Sequence, residues 1–343
     1  MEKILDLKSQ WEALKVAQPK MRIRDVAKEL QTSEVELLAT GVGETVIRLN
    51  DDFKGILKSI EPLGKVMALT RNDYCVHERK GIYKNISFTG PMGLAVNPDI
   101  DLRLFMTQWS SSFAVNENDR KSLQFFNKAG IAIHKIYLAE TSDEAAYDEL
   151  VKIFTAIDQN APLTLDKKVT TVEEKPDHEI DLPGFQERWL TLKDTHDFHG
   201  LLRDFGVTRT QGLRLAPKGH ASQITKDSFK DILHKASEND LEIMVFTGSA
   251  GCIQIHTGLI KKLVQTGPWF NVLDPDFNLH LREDAIETIW MVKKPTADGP
   301  VTSIEVFDGT GTIIVQFFGK RKPGIPENEQ WRSFVNDTAV LLT

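Results

Sequence analysis

The stretch TLKDTHDFHGLLRDFGVTRT, residues 191–210, carries two histidines three positions apart, His196 and His199. In a helix, that spacing puts both imidazoles on one face. Neutral imidazole is a common ligand of transition metals. Two ligands do not close a zinc site, so the spacing leaves two readings open: a metal ligand, or a helix that happens to carry two histidines. The same half of the chain holds a basic set, Arg209, Lys293, Lys294, Lys320 and Arg321. Each alone reads as a solvated surface charge. As a set, beside a ligand histidine, they can grip an anion that also carries a metal. The usual catalytic motifs are absent: there is no GxSxG, HExxH, GxGxxG or Walker loop. TGSAG, from Thr247, lacks the nucleophile-elbow pattern and reads as a hairpin turn.

The chain that must position these residues has 343 of them, 41% apolar and 27% charged. That is enough for about two domains with real cores. A net charge of -7 and a pI near 5.8 argue against binding nucleic acid or anionic membranes by bulk charge. Any anionic ligand must then be met by local arginine and lysine. The opening MEKILDLKSQWEALK has neither the apolar region nor the cleavage site of a secretory signal. No apolar run approaches the roughly 18 residues of a membrane span. Cys75 and Cys252 are the only cysteines and no CxxC occurs, which excludes zinc ribbons and dithiol redox motifs. The expectation is a soluble cytoplasmic protein with reduced thiols and no membrane insertion.

The chain contains itself twice. With a shift of 177, VMALTRNDYCVHERKG lies over IMVFTGSAGCIQIHTG, Cys75 on Cys252 and Gly81 on Gly258. TGP at Thr89 falls on TGP at Thr266, and PDIDLRL falls on PDFNLHL. With a small change of shift, QFFNKAGIAI at Gln124 matches EVFDGTGTII at Glu305. WEALK at Trp11 matches WLTLK at Trp189, and FKGILKSI at Phe53 matches FKDILHKA at Phe229. An ordered series of this kind is a tandem duplication. It gives an N-terminal repeat, residues 1–157, a linker, 158–184, and a C-terminal repeat, 185–343. The linker is charged, carries three prolines and shows no sustained period.

Each repeat opens with two or three amphipathic helices and continues in short β-rich segments, such as EIMVFTG, FNLHL, TSIEVFD and TIIVQFFG. Polar turns of the FDGTGT and GSAG type join them, which favours hairpins. No helix fits between strands as a parallel βαβ unit requires. The fold class is α+β: a tandem duplication of one domain, each half a large antiparallel sheet with helices covering a face. The paired cysteines read as small core residues. The halves differ at polar positions. Arg103 has His280 as its mate, and KVAQPK stands in the first half where His196 and His199 stand in the second.

The chain resembles the HemS/HmuS/ChuS family of bacterial cytoplasmic haem-trafficking and haem-degrading proteins. The motifs that carry the resemblance are TRNDYCVHE, NPDIDLRLFMTQWSSSF, LQFFNKAGIAIHKIY, EIMVFTGSAGCIQIHTG and KKPTADGPVTSIEVF, spread over essentially the whole chain. The resemblance implies a principal haem site in the C-terminal repeat, with His196 as axial iron ligand. It implies that Arg209, Lys294 and Arg321 contact the haem or its propionates. It gives Arg103, from the N-terminal repeat, a catalytic role on the distal side, and His77 a second haem site in some members. His199, one helical turn on from His196, can serve as an alternate ligand. Imidazole is a good axial donor to haem iron, and two propionates need local cations on an acidic protein. Phe318 stands where many relatives have tyrosine, and Ala250 lies in a turn that commonly holds arginine.

Two functions are compatible with this reading. One is oxidative haem degradation that releases iron, using O2 and an external electron donor. The other is a non-catalytic carrier or buffer that takes haem from an uptake transporter and delivers it to a separate haem oxygenase. The net charge of -7 argues against strong non-specific DNA binding.

Overall fold

The structure, a computed structural model, describes residues 2–166, 173–322 and 324–342, with side chains from residue 6 onward. The expected linker therefore includes residues 167–172, which lie outside the described residues. The chain forms two compact units. One comprises Met1–Arg71, His77–Val169 and Gly248–Gln254; the other comprises Asn72–Val76, Thr170–Thr247 and Ile255–Thr343.

In the first repeat, helices α1 (Glu2–Ala17), α2 (Ile23–Glu29) and α3 (Glu34–Ala39) precede β1 (Val46–Arg48) and α4 (Phe53–Lys58). Strands β2 (Val66–Arg71), β3 (Cys75–Gly81), β4 (Ile86–Thr89), β5 (Met92–Val96), β6 (Asp101–Phe105), β7 (Ser111–Glu117), β8 (Arg120–Phe126) and β9 (Ala132–Leu138) follow, then α5 (Glu144–Phe154). In the second repeat, α6 (Leu182–Leu190), α7 (Asp197–Phe205) and α8 (Arg209–Arg214) precede β10 (Ala221–Gln223) and α9 (Lys226–Glu238). Next come β11 (Ile243–Gly248), β12 (Cys252–Gly258), β13 (Leu263–Thr266), β14 (Trp269–Leu273), β15 (Phe277–Arg282), β16 (Thr288–Lys294), β17 (Val301–Phe307) and β18 (Ile313–Gly319). Helix α10 (Glu329–Thr338) ends the series. None of these helices is long and apolar enough to cross a membrane.

The strands fall in two sheets of nine. Within the first unit the order β1-β7-β8-β9-β2 recurs in the second as β10-β16-β17-β18-β11, and the β4-β5-β6 meander recurs as β13-β14-β15. These neighbours pair antiparallel, as hairpin connections require. Phe113 stands opposite Gln124, and Trp290 opposite Glu305, so the duplicated register is preserved. The FDGTGT turn forms between β17 and β18, where the Asp308 carboxylate accepts the backbone N–H groups of Thr310 and Thr312 at 2.8 and 3.0 Å. The GSAG turn forms between β11 and β12, with the Ser249 hydroxyl accepting from Cys252 N at 3.1 Å.

Each unit has its own apolar core, and each core contains the cysteine of the other repeat. Cys252 is fully buried among Ala68, Trp109, Phe125 and Ile133. Trp109 Nε1 donates to the Gly251 carbonyl at 3.0 Å, and Gln254 donates to the Ala68 carbonyl at 3.1 Å. Cys75 is fully buried with Ile243, Val245 and Phe317, and Asn72 donates to the Ile314 carbonyl at 2.8 Å. Neither cysteine forms a disulfide.

Candidate functional site

The site is built in the second unit, where α6, α7 and α8 pack on β16 and β17. Phe198, Leu201 and Leu202 recur at i, i+3 and i+4 and form the buried face of α7, in one cluster with Trp189, Leu213, Trp290 and Phe307. Gly206 ends α7 in the left-handed region, at φ 63°, a conformation glycine adopts without strain. The chain then turns into Thr208, whose hydroxyl accepts from Gln211 N at 3.2 Å and caps α8. Arg209 is therefore the first helical residue, with its side chain turned to the sheet.

His196 sits at the N-cap of α7 with its side chain 85% exposed. Its backbone N–H and its ring Nδ1 both meet Asp194 Oδ1, at 2.9 and 2.6 Å. The His196 amide, then its ring, and also the charge of Arg321, hold the Asp194 carboxyl below the usual range, so it is ionised. An ionised carboxylate only accepts, so Nδ1 donates in this bond, and Nε2 is the ring nitrogen that faces away from Asp194. His199 keeps an accessible edge. Protein packed around its ring, and then the charges of Arg209 and Lys294, keep it below the ordinary imidazole value and neutral.

Beneath the helices lies a buried charge cluster. Glu305 is fully buried on β17. It accepts from Arg209 Nε and Nη2 at 2.7 and 2.9 Å, from Lys294 Nζ at 2.7 Å, and from the Ser303 hydroxyl at 3.1 Å. Lys294 stands opposite Val301, two residues from Ser303 and four from Glu305, so all three side chains share one face. Burial alone would raise the Glu305 carboxyl; Arg209 and Lys294 reverse this and hold it well below the carboxylate range. Burial lowers the Lys294 ammonium to about 8, against the attraction of Glu305. The Phe198 ring faces both cations, 4.4 Å from Lys294 Nζ and 5.2 Å from Arg209 Cζ.

The structure thus groups His199, Arg209 and Lys294 around Glu305 and Phe198, with His196 at the head of the same helix. Arg321 follows β18, and its buried Nη1 has no hydrogen-bond partner among the described residues. A buried donor of that kind is a place for a ligand acceptor. Lys320 is engaged by Glu242 at 2.6 Å. Lys293 contributes its carbonyl, which accepts from Trp189 Nε1 at 3.2 Å. In the first unit, Arg103 lies on β6, ion-paired with Asp101 and donating to the Leu102 carbonyl at 3.3 Å. His280, its repeat mate, bonds Asn271 at 2.7 Å. His77 is 0% exposed. Phe318 is half-buried, its ring 5.0 Å from that of Phe246.

Three members of this cluster did not stand out in the sequence: Asp194, Phe198 and Glu305. Each left a signal. TSIEVF has a single carboxylate inside an apolar strand, and Asp194 stands two residues before His196, the spacing of an Asx turn.

The fold has counterparts in known proteins. The family model of the haemin-degrading HemS.ChuX domain matches residues 31–154 and again residues 206–338. The hemin transport protein HmuS of Yersinia pestis is 39% identical over 331 residues, 95% of each chain. Holo-PhuS, a heme-binding protein from Pseudomonas aeruginosa, superposes with a TM-score of 0.96 at 45% identity, over 99% of each chain. ChuS, an E. coli heme oxygenase, superposes with a TM-score of 0.88 at 36% identity, over 97% of this chain and 99% of its own. With two ordered matches to the domain and full-length similarity to these proteins, the chain belongs to the HemS/HmuS/ChuS family.

Proposed function

We propose that this protein binds haem in the cytoplasm through axial ligation by His196 and degrades it oxidatively, releasing iron. The observation that carries the reading is the His196 imidazole: exposed, with Nδ1 tied to an ionised carboxylate and Nε2 without a hydrogen-bond partner among the described residues. A carboxylate–imidazole pair raises ligand basicity and fixes ring orientation. The rest of the site suits the substrate. Arg209 and Lys294 offer cationic contact to a propionate, and the orphaned Arg321 Nη1 offers a second. Haem supplies the iron chemistry; the chain supplies binding, orientation and charge. Arg103 enters the proposal on the family resemblance, as the residue that acts in ring opening. An electron donor and O2 must come from outside.

A carrier function is the second reading, and His199 favours it. It is neutral and one helical turn from His196, as an exchangeable second ligand should be. The test is to load the chain with ferric haem and add a reductase system with catalase. Sustained loss of the haem band with release of iron supports degradation. A persistent band, followed by complete haem transfer to a separate oxygenase, supports the carrier.

A further inference from the structure

Resting on the haem reading, we infer that Glu305 is the positioning residue of the carboxylate subsite: it holds Arg209 and Lys294 in place for a ligand propionate.

The fork between Arg209 and Glu305 uses the Nε and Nη2 edge of the guanidinium, which leaves the Nη1 edge unclaimed by Glu305. Arg209 is also the more exposed of the two cations, its side chain at 17% against 3% for Lys294. Glu305 therefore presents an oriented guanidinium edge at the start of α8. Ser303 adds a donor to Oε1, so the carboxylate is held by four hydrogen bonds from three residues. Two positive charges against one negative leave the triad at a net +1, suited to one carboxylate. Without Glu305, Arg209 and Lys294 would repel each other across the Phe198 ring, and Arg209 would lose its fork. Lys294, already lowered to about 8 by burial and by Arg209, would lose the one group that supports its proton. The other titratable group facing this cluster is His199, from α7. The first unit shows that the strand accepts an amide here. Its Gln124, mate of Glu305, is buried and donates to the Ser122 hydroxyl at 3.1 Å, and Ser122 is the mate of Ser303.

The test compares haem with its dimethyl ester, both presented in the same detergent, on wild type, E305Q, E305D, K294M and the E305Q/K294M double variant. The expected result is about a tenfold loss of haem affinity in E305Q, with the dimethyl ester unchanged within about twofold. E305D, which keeps the charge, should recover part of the loss. The double variant should bind haem no more weakly than the two single effects combined would allow, and closer to E305Q alone. Melting curves confirm which variants fold, and E305D carries the comparison if E305Q does not. Equal losses for both ligands, no loss, or tighter haem binding overturns the inference. A wild-type chain with no haem complex dependent on His196 overturns the haem reading itself, before Glu305 is altered.

Discussion

The two units share strand order, register and helix caps, yet their polar interiors are opposites. In the first, His134 is 1% exposed, with Tyr83 OH at 2.6 Å from Nε2 and Thr70 Oγ1 at 2.8 Å from Nδ1. Thr70 also donates to Cys252 Sγ at 3.5 Å. Burial pushes His134 down to about 3 and Tyr83 well up, so the network is neutral. The second unit has Val315 and Ile260 at the equivalent positions, and only the Thr247–Cys75 contact, 3.6 Å, remains. The charges at the starts of the matching helices are inverted too. Helices α3 and α8 are both capped by a hydroxyl, Ser33 and Thr208, but begin with Glu34 and Arg209 respectively. Glu34 faces Arg24 at 3.8 Å and Lys135 at 4.0 Å; Arg209 faces Glu305. A duplicated framework can thus hold either a neutral network sealed in its core or a charged cluster under an exposed histidine. On the proposed function, the second is the one that meets haem.

This contrast can be broken most severely at the mated pair Glu305 and Gln124. Glu305→Ala strands the buried Lys294 and the half-buried Arg209 and should cost about 3–5 kcal/mol in urea denaturation, whereas Gln124→Ala should cost about 1 kcal/mol. Equal costs would erase the distinction.

The next effect is the acid sensitivity of the first unit. His134 falls from 6.5 to about 3 on folding, so the unfolded chain binds the extra proton. Its contribution is fully present above pH 6.5 and is lost as pH falls toward 3, by about 2 kcal/mol at pH 5. Replacing Tyr83→Ile and His134→Val together, the residues the second unit uses, should flatten that slope between pH 7 and pH 5.

Asp194→Ala should weaken haem binding about tenfold by freeing the His196 ring, while changing stability by no more than about 0.5 kcal/mol. The smallest effect concerns the turns before α3 and α8. Gln31 has φ 53° where the second unit has Gly206 at φ 63°. Gln31→Gly should stabilise by about 0.5 kcal/mol, and Gly206→Ala should destabilise by about 1 kcal/mol, both read from thermal midpoints.

The duplication, the antiparallel hairpins and the helix that follows His196 were legible because they rest on local pattern: repeated words, turn residues and amphipathic spacing. Arg209 and Lys294 were legible as a basic set, but their common partner was not. Glu305 lies 96 residues from Arg209, and pairing at that separation leaves no local trace. The same holds for Asn72–Val76 and Gly248–Gln254, each of which completes the unit built mainly from the other repeat. His134 was visible only as a polar residue in the apolar strand GIAIHKIY; its partners come from three other segments.

On the proposed function, His196 is the axial ligand of the haem iron. The most direct test is the visible spectrum of the chain titrated with ferric haem, wild type beside His196→Ala. Axial ligation by His196 should give a sharp one-to-one Soret band in the wild type, weakened or shifted in the variant. An unchanged spectrum in His196→Ala would contradict it.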